Sequence, residues 1–270
     1  MDKYSEIRVP ISKDNPSIMR RESKCVLCGK CKDVCKKKIG VAGYWKYDSE
    51  DIVCINCGQC ANVCPVESIT EKDDTDKLLS ALQDKTKTVV IMTSPAVRVS
   101  LGELFGLKPG DFVAGKMVSA LKKLGADYVF DVVFGADLTI MEEASELIER
   151  VKSGNNLPQF TSCCPAWVKF VETFYPKFIP NLSSCKSPIS MQASVIKNYF
   201  SKKIGKLPSD IVLVAMTPCV AKKFEIKREE LRGLYGQDTD IVVTVREMGK
   251  LLKKKRIAVS YTHLTLPTIA

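Results

Sequence analysis

The chain has 270 residues, of which 45% are hydrophobic, and a formal net charge of +10 at pH 7. This length allows one or two domains with a sizeable core, and the apolar stretches, of about half a dozen residues at most, are too short to cross a bilayer. The short lysine runs are more typical of a solvated surface, or of a docking face for an acidic redox protein, than of a nucleic-acid site. We therefore expect neither nucleic acid nor a membrane as a partner.

Eight cysteines in the first 64 residues form two copies of one spacing, C-x-x-C-x-x-C-x-x-x-C, and a proline follows the second copy. This is the bacterial ferredoxin signature for two 4Fe–4S clusters, in which each run lends its fourth cysteine to the other cluster. The predicted ligands of the first cluster are Cys25, Cys28, Cys31 and Cys64. Those of the second cluster are Cys54, Cys57, Cys60 and Cys35. A zinc pair or a disulfide framework is the alternative, which so regular a duplication disfavours.

The cysteine usage also indicates a compartment. The chain has 12 cysteines and a polar N-terminus without an apolar signal region. This combination favours metal ligation in a reducing cytoplasm over disulfide formation. The charged stretch at residues 71–77 predicts a boundary, so that residues 1–80 form a small α+β ferredoxin-type domain.

After that boundary, helical and strand patterns alternate. A short helix at residues 78–82 precedes the apolar run 88–93, which predicts a strand buried on both faces. Similar runs occur at residues 128–130, 211–216 and 241–243, and helical patterns occur at residues 137–152, 166–174 and 188–200. The alternation predicts an α/β domain over residues 81–259, with a parallel sheet whose chemistry collects at the carboxyl ends of the strands.

Three of the remaining four cysteines lie where such a domain could build a site. Cys163 and Cys164 precede Pro165, which suits the first turn of a helix, and the positive helix terminus favours a thiolate there. Cys219 closely follows the predicted strand at residues 211–216. Each alone is more often an inert buried thiol, but two cysteines at separate strand or helix ends can share a metal cofactor. Cys185 has no companion at ligand spacing, and we expect it in the core.

The predicted helix at residues 137–152 carries a polar row formed by Glu143, Glu146 and Arg150. An apolar stripe occupies another face of the same helix. The stripe consists of Ile140, Ala144, Leu147, Ile148 and Val151. From the residues alone, the row indicates a solvated face with a Glu146–Arg150 pair worth about a few tenths of a kcal/mol.

Two segments resemble the first two active-site signatures of iron-only (FeFe) hydrogenases. They are Thr161-Ser162-Cys163-Cys164-Pro165-x-Trp167 and Pro218-Cys219-x-x-Lys222-x-x-Glu225. The resemblance covers about residues 20–257 and implies an enzyme that reversibly forms hydrogen from two protons and two electrons. It also implies electron exchange with ferredoxin or another low-potential redox protein, and hydrogenase maturation proteins as further partners.

The resemblance further implies a six-iron active-site cluster, in which a cubane is joined to a diiron unit. Cys164 and Cys219 would bind the cubane, and Cys163 would stay unligated beside the diiron unit and pass protons. Lys222 would hydrogen-bond an iron-bound cyanide. Thr217 stands where the family commonly has methionine, so that either this residue or the neighbouring Met216 faces the diiron unit.

The resemblance gives the polar row a second interpretation, as a proton relay. Glu143 and Glu146, in one row with Arg150, would pass protons to Cys163 together with Ser183. A desolvated carboxylate with a raised pKa would suit that task.

The family's third signature, Glu-x-Met-x-Cys-x-x-Gly-Cys, does not occur, because no cysteine follows Cys219. We therefore expect the chain to hold only part of the active site and to be inactive as it stands. Residues 260–270 contain the only histidine, His263, and no charged residue besides it, which predicts a non-native tail and no ligand role for His263. A partial catalytic domain would also leave apolar helix faces uncovered.

Two other classes of protein stay open. A pure electron carrier would bind cubanes but has no need of the paired Cys163 and Cys164. An iron–sulfur assembly protein or a sensory relative would keep the cubane ligands but tends to lose groups that face a diiron unit. Ala96, Ile189 and Thr217 depart from what many catalytic relatives carry, whereas Cys163, Glu143 and Lys222 favour catalysis.

Overall fold

A computed structural model of the chain describes Tyr4 and residues 6–43 and 52–259. The predicted tail at residues 260–270, with His263, lies outside the described residues. The strands are β1 (Ile18–Arg20), β2 (Ile69–Glu71), β3 (Thr88–Thr93), β4 (Tyr128–Asp131), β5 (Ile211–Thr217) and β6 (Ile241–Thr244). The helices are α1 (Lys30–Val34), α2 (Gln59–Asn62), α3 (Thr75–Gln83), α4 (Val97–Ser100), α5 (Ala114–Leu124), α6 (Val133–Ser153), α7 (Pro165–Phe174), α8 (Pro188–Val195), α9 (Ser201–Lys203), α10 (Lys222–Glu225) and α11 (Val245–Lys254).

The chain divides into two compact units. The first comprises Met1–Lys72, Cys164–Ile179 and Cys219–Phe224, and the second comprises the three segments that remain. Helix α3 belongs to the second unit, since Leu78 is fully buried in that unit's core and the Asp74 amide donates a 2.7 Å hydrogen bond to the Glu247 carboxylate. The units thus divide just before α3, and the domain limits at residues 80 and 81 stay a prediction.

The first unit is built around the cysteine-rich segment. Strands β1 and β2 pair antiparallel, and Ile18 and Ile69 of these strands pack with Cys60 in a small core. A second apolar cluster joins Val41 and Ile55 to Ala166 of α7 and to Ala221. The segments 164–179 and 219–224 therefore pack on the cysteine-rich segment, although they lie far from it in the sequence.

The second unit contains a four-stranded parallel sheet with the strand order β4-β3-β5-β6. The sheet confirms the α/β fold predicted from the alternating pattern. All six residues of β3 are buried, as predicted for a central strand. The prediction of a doubly buried strand is wrong at residues 128–130, because β4 is an edge strand and its Tyr128 and Asp131 are exposed.

Helices cover both faces of this sheet. On one face, α5 and α11 pack with α3 around Leu121, Met248 and Leu252. On the other face, α8 contributes Ile189 and Ala193. The carboxyl ends of all four strands lie at the same edge of the sheet because every pairing is parallel.

Three predicted helices have different limits in the structure. The helix expected at residues 78–82 is longer and begins at Thr75, and α6 begins four residues before its predicted start, at Val133. The helix expected at residues 188–200 is α-helical only to Val195 and continues as a π-helical turn. Fraying and local hydrogen-bond geometry set such ends, and hydrophobic periodicity does not specify them.

Helix α6 packs closely on α8 at one glycine. A Cβ atom at Gly135 would lie 2.3 Å from the Pro188 carbonyl oxygen and 2.9 Å from the Gln192 Cβ atom. Glycine therefore permits an approach of the two helices that any side chain would prevent. This contact fixes the rotation of α6, and so determines which of its faces points inward.

Candidate metal centre

The predicted ligands of the first cluster lie in a partly exposed environment. Cys28 is exposed, and Gly29 after it adopts a left-handed conformation with φ of 77° that turns the chain into α1. Burial opposes ionisation of Cys25, but a hydrogen bond from the Leu27 amide and one from the Arg8 side chain lower the pKa of this thiol. The Ile69 amide lies 3.5 Å from the Cys64 sulfur, to which it donates. The sulfurs of Cys25 and Cys64 therefore each have a hydrogen-bond donor, and Cys25 lies near positive charge as well.

The predicted ligands of the second cluster lie in a drier environment. Burial is the main cause that raises the pKa values of the thiols of Cys35, Cys54, Cys57 and Cys60. The pKa of Cys35 rises to about 11, because burial outweighs the Ala42 amide and the nearby Cys57 and Cys54 add negative charge. Cys35 lines one cavity with Cys54, Cys57 and Cys60, although the charge of Cys31 from the first run also raises its pKa. The exchange of fourth cysteines between the clusters stays a prediction.

The residues around this second set fit an iron–sulfur cluster. An apolar cavity lies beside the sulfurs and is lined by Ile18, Val41, Val53 and Ile55. In the described part of the chain, no three Cys, His, Asp or Glu side chains converge closely enough to hold a single metal ion. Zn²⁺ requires its sulfur ligands about 2.3 Å away, whereas the thiolates of a cubane stand at the corners of a larger cage. The four predicted sulfur ligands of the second cluster line the same cavity, as the ligands of one cubane would.

Cys164 and Cys219 lie close together in the first unit. Cys164 is the N-cap residue of α7, and Pro165 is the first residue of that helix, as predicted. Burial is the main cause that raises the pKa of Cys219, with a smaller contribution from the charge of Cys164, while the Ala221 amide and Lys222 act in the opposite direction. The charge of Cys219 in turn raises the pKa of Cys57, for which burial is again the main cause. Two thiols from distant parts of the sequence are therefore within electrostatic range of each other, and Cys219 lies in the same apolar cluster as Cys57 of the second ferredoxin-type set.

Glycine is required where these segments touch. A Cβ atom at Gly58, whose φ is 74°, would lie 2.4 Å from a methyl carbon of Val220. The loop that carries Cys57 and the residue after Cys219 are therefore in direct contact. This contact joins the segment that carries Cys57 to the segment that carries Cys219 within the first unit.

Lys222 and Thr217, two further predicted site residues, are close to Cys219 in the sequence, and both are buried. Lys222, the first residue of α10, is 7% exposed, and its amide donates to the Cys219 carbonyl at 3.3 Å. Thr217 ends β5 and is 3% exposed. The neighbouring Lys223 is even more deeply buried than Lys222. No sequence pattern predicts the burial of Lys223, since a Lys-Lys pair is usually solvated.

The polar row of α6 forms a hydrogen-bonded network in the second unit. Arg150 donates to Glu146 at 2.7 Å, and the Ser183 hydroxyl donates to the other carboxylate oxygen at 2.7 Å. Arg150 also donates to the carbonyl groups of Asn181 and Leu182. Glu146, Arg150 and Ser183 are therefore brought together, as predicted, and the row faces the protein interior.

The pKa of Glu146 moves in the direction opposite to the one expected. Burial would raise it, but hydrogen bonds from the Ser183 hydroxyl and the Ser184 amide, and the Arg150 guanidinium, together lower the pKa of this carboxyl group. The expectation of a raised pKa is thus wrong for Glu146, because three donors stabilise the carboxylate. Glu146 is thus a carboxylate that three hydrogen-bond donors hold in place.

Glu143 has a different environment. Its Oε1 atom is buried and has no hydrogen-bond partner among the described residues, and the same holds for Oε1 of Gln159. The Gln159 side-chain amide donates to the Glu143 backbone carbonyl at 3.3 Å. An unsatisfied buried carboxylate oxygen is unusual and marks a place for a water molecule or a mobile proton.

Cys163 and Cys185 both belong to the second unit. Cys163 is exposed, and the preceding Ser162 donates a 2.7 Å hydrogen bond from its hydroxyl group to the Cys185 carbonyl. Cys185 is only partly buried, so its prediction as a core residue is correct only in part. The Cys185 amide donates to the Ser183 hydroxyl at 3.2 Å. The backbone around Cys163 is thereby tied to the loop that carries Ser183.

Sequence reasoning missed the groups that support the sulfurs. Besides Arg8 at Cys25, the side-chain amide of Asn15 lies 3.6 Å from the Cys54 sulfur and the Asn56 amide lies 3.4 Å from it. Arg8 and Asn15 precede the first cysteine run and follow no ligand spacing. Only the fold brings them to the sulfurs.

The sulfur sets and the parallel sheet together define an iron–sulfur protein with an α/β domain of the hydrogenase type. Residues 87–265 match the family described as "Iron only hydrogenase large subunit, C-terminal domain", and residues 53–70 match "4Fe-4S binding domain". The chain belongs to the iron-only hydrogenase family.

Similar proteins come from several organisms. Iron hydrogenase 1 of Clostridium pasteurianum is 40% identical over 92% of this chain and 46% of its own length. The periplasmic [Fe] hydrogenase large subunit of Nitratidesulfovibrio vulgaris is 44% identical over 65% of this chain and 42% of its own length. Cytosolic iron-sulfur assembly component 3 of Bos taurus is 33% identical over 67% of this chain and 39% of its own length. The chain thus spans less than half the length of each of these relatives.

A solved structure supports the same assignment. The apo [FeFe]-hydrogenase HydA1 from Chlamydomonas reinhardtii, in a variant form, superposes with a TM-score of 0.67 and is 39% identical, over 71% of this chain and 50% of that one. Among the described residues of the present chain, no helix is long and apolar enough to span a membrane.

Proposed function

We propose that this chain is part of a cytoplasmic iron hydrogenase, which reversibly converts two protons and two electrons to hydrogen with electrons from reduced ferredoxin. The observation that carries the proposal is the convergence of three sulfurs in the first unit. Cys164 lies within electrostatic reach of Cys219, and Cys219 lies within reach of Cys57. An electron carrier without a catalytic site has no use for the first two of these thiols.

The cysteine-rich segment would supply the electrons. We assign Cys25, Cys28, Cys31 and Cys64 to one 4Fe–4S cluster and Cys54, Cys57, Cys60 and Cys35 to a second, each of which stores one electron when bound. The exposed Cys28 indicates that the first cluster faces external electron carriers. The contact between Gly58 and Val220 favours the second cluster as the donor to the active site.

The residues around Cys219 would hold the active-site cluster. In this proposal Cys164 and Cys219 provide two sulfur ligands of its cubane part, and a group of this kind supplies the redox-active iron at which hydrogen is formed. The buried Lys222 provides a fixed ammonium donor for an anionic ligand, and burial suits it to that role because water does not compete. From the resemblance alone, we also propose Thr217 as a cofactor-binding residue.

Residues of the second unit would form a proton relay that ends at Cys163. Glu146 is held by Arg150 and Ser183, so we propose that these three groups position the relay. Glu143 would accept the mobile proton, because one of its oxygens is buried without a partner in the described part of the chain. A general acid needs such an uncommitted oxygen within reach of water or of the next group.

We also propose that the chain on its own makes no hydrogen. A bridged six-iron cluster needs four cysteine ligands, and the third signature that would provide the other two does not occur in this sequence. A polypeptide with that signature would have to complete the site, together with hydrogenase maturation proteins.

A chimera tests the proposal. The present chain, joined after residue 259 to the unmatched C-terminal part of Clostridium pasteurianum iron hydrogenase 1, would be produced with maturation proteins under anaerobic conditions. We expect hydrogen evolution from reduced ferredoxin and infrared bands of iron-bound carbonyl and cyanide. Cys219→Ala should remove both signals. Cys185→Ala, a cysteine with no assigned role, should retain them.

The same chimera separates the proposal from a second candidate. The similarity to cytosolic iron-sulfur assembly component 3 favours an assembly role, in which the chain would bind clusters without catalysis. Clusters at wild-type stoichiometry but neither carbonyl bands nor hydrogen in the chimera would support the assembly role and contradict the hydrogenase proposal. Retention of Cys163, Glu143 and Lys222 in this chain favours catalysis.

A further inference from the structure

The two cysteine runs differ sharply in charge although they share one spacing. Residues 20–38, which surround the first run, contain eight Lys and Arg against two Asp and Glu. The matching window around the second run, residues 49–67, contains no Lys or Arg and three Asp and Glu. A duplicated cluster-binding motif does not itself require this difference. We therefore connect the positive charge with a function of the first run that the second run does not share.

The cations lie next to an exposed predicted ligand. Lys24 and Lys30 flank Cys28 in the sequence, and all three residues are exposed. Arg21, three residues before Lys24, is exposed as well. We name Arg21, Lys24 and Lys30 the Cys28 basic surface. Within the described residues, none of these three side chains forms an ion pair. The nearest acid in the sequence, Glu22, is occupied by Arg8 at 2.6 Å.

An apolar side chain completes the surface. Val26, between Cys25 and Cys28, is 60% exposed. A small apolar contact within a charged rim is the usual make-up of a transient protein interface. Unpaired cations around it select a partner of opposite charge and accelerate its approach.

We propose that a small acidic electron-transfer protein docks on the Cys28 basic surface and delivers electrons to the first cluster. This inference rests on the cluster assignment of the proposed function, but not on hydrogen catalysis. In each encounter one electron leaves the partner's reduced iron–sulfur centre, which is oxidised, and reduces the first cluster, with no bond or proton transferred. The second run is not the docking site, because Cys60 is buried and its window lacks cations.

Binding measurements on the cluster-loaded full chain test the proposal. The probe is a purified acidic two-cluster bacterial ferredoxin, and a basic c-type cytochrome is the control probe. The test variant combines Arg21→Glu, Lys24→Glu and Lys30→Glu. The control variant combines Lys202→Glu, Lys203→Glu and Lys206→Glu, which change the net charge equally at exposed positions of the second unit.

We expect the test variant to weaken ferredoxin binding about tenfold, and the control variant less than about twofold. The affinity of the wild-type chain should fall with rising salt, and that dependence should be smaller in the test variant. A milder variant, with glutamine at the same three positions, should give an intermediate loss. The iron–sulfur absorption of each variant verifies that its clusters are intact.

Several results would overturn the docking surface. Equal weakening in the two charge-reversal variants would mean that only net charge matters. Unchanged ferredoxin binding in the test variant, or no binding by the wild-type chain, would contradict the proposal directly. Tighter binding of a single-stranded DNA probe than of ferredoxin to the same surface would assign it to nucleic acid. Because the readout is binding, an inactive chimera would leave this conclusion untouched.

Discussion

Helices α6 and α11 are both amphipathic, yet they orient their faces in opposite ways. Helix α11 buries its apolar residues, among them Met248 and Leu252, and exposes Lys253 and Lys254. Helix α6 turns its charged row inward and leaves Ile140 and Ile148, at 64% and 54%, exposed. An amphipathic pattern therefore identifies two faces but not the one that is buried. For α6, close packing against α8 at Gly135 determines which face is buried.

Helix α6 has an exposed apolar face, and the explanation of that face by a partial catalytic domain stays a prediction. The exposed stripe of α6 consists of Ile140, Met141, Ala144, Leu147, Ile148 and Val151. Contiguous apolar surface of this kind marks an interaction site or an aggregation hazard. By contrast, the apolar residues of α11 are buried in the core of the second unit.

Truncation of a core side chain on α11 should destabilise the chain more than truncation of a side chain on the exposed face of α6. Leu252→Ala should lower the free energy of unfolding by about 2–5 kcal/mol, because the side chain is fully buried and leaves a cavity. Ile148→Ala on α6 should change it by less than about 0.5 kcal/mol, since it removes little buried surface. Urea unfolding followed by circular dichroism measures both. Similar losses in the two variants would contradict the assigned faces.

A somewhat smaller effect tests what fixes the rotation of α6. Gly135→Ala should destabilise the chain by about 1–3 kcal/mol, because the added Cβ atom meets the Pro188 carbonyl oxygen. Ser145→Ala, on the exposed part of the same helix, is the matched control and should stay within about 0.5 kcal/mol. The same unfolding experiment applies, and a neutral Gly135→Ala would mean that α6 is not held by this contact.

The inward polar row should give stability a pH dependence. The pKa of Glu146 is lower in the folded chain than in the unfolded one, so its contribution is full above the unfolded-state value of about 4.3 and is lost as pH falls through the folded-state value. Glu146→Gln should therefore destabilise the chain at neutral pH, and the deficit should shrink towards acid pH. Glu149→Gln, at an exposed position, provides the control. A deficit that is constant with pH would exclude the anchored carboxylate.

The sequence predicted the features that depend on residues within one segment. It missed those that depend on contacts between distant segments. Apolar runs located the four strands of the parallel sheet within a residue or so, and Pro165 located the start of α7, because both signals lie in the segment itself. The short strands β1 and β2 were not predicted, since three residues carry no clear pattern. The exchange of Cys35 and Cys64 between the two clusters rests on the cysteine spacing and stays a prediction. The packing of residues 164–179 and 219–224 with the cysteine-rich segment, and the bond from Arg8 to Cys25, depend on long-range contacts that no local pattern specifies.

Charges placed on the exposed apolar stripe of α6 should increase solubility and leave stability nearly unchanged. A double variant, Ile140→Lys with Ile148→Glu, should raise the protein concentration at which light scattering begins, because charges interrupt the exposed stripe. Its unfolding free energy should stay within about 0.5 kcal/mol of the wild-type value. A strong loss of stability instead would mean that the stripe is packed against something in the folded chain.

We propose that the two cysteine runs of the first unit bind two iron–sulfur clusters, and that Cys164 and Cys219 beside them provide only part of the ligands of a further cluster. The 270-residue chain would be produced together with hydrogenase maturation proteins, reconstituted anaerobically with iron and sulfide, and studied by iron analysis, electron paramagnetic resonance and infrared spectroscopy. We predict roughly eight iron atoms per chain for two cubanes, two interacting reduced-cluster signals, and no carbonyl or cyanide bands. Tightly bound zinc in place of iron, or carbonyl and cyanide bands with hydrogen evolution from this chain alone, would contradict the account.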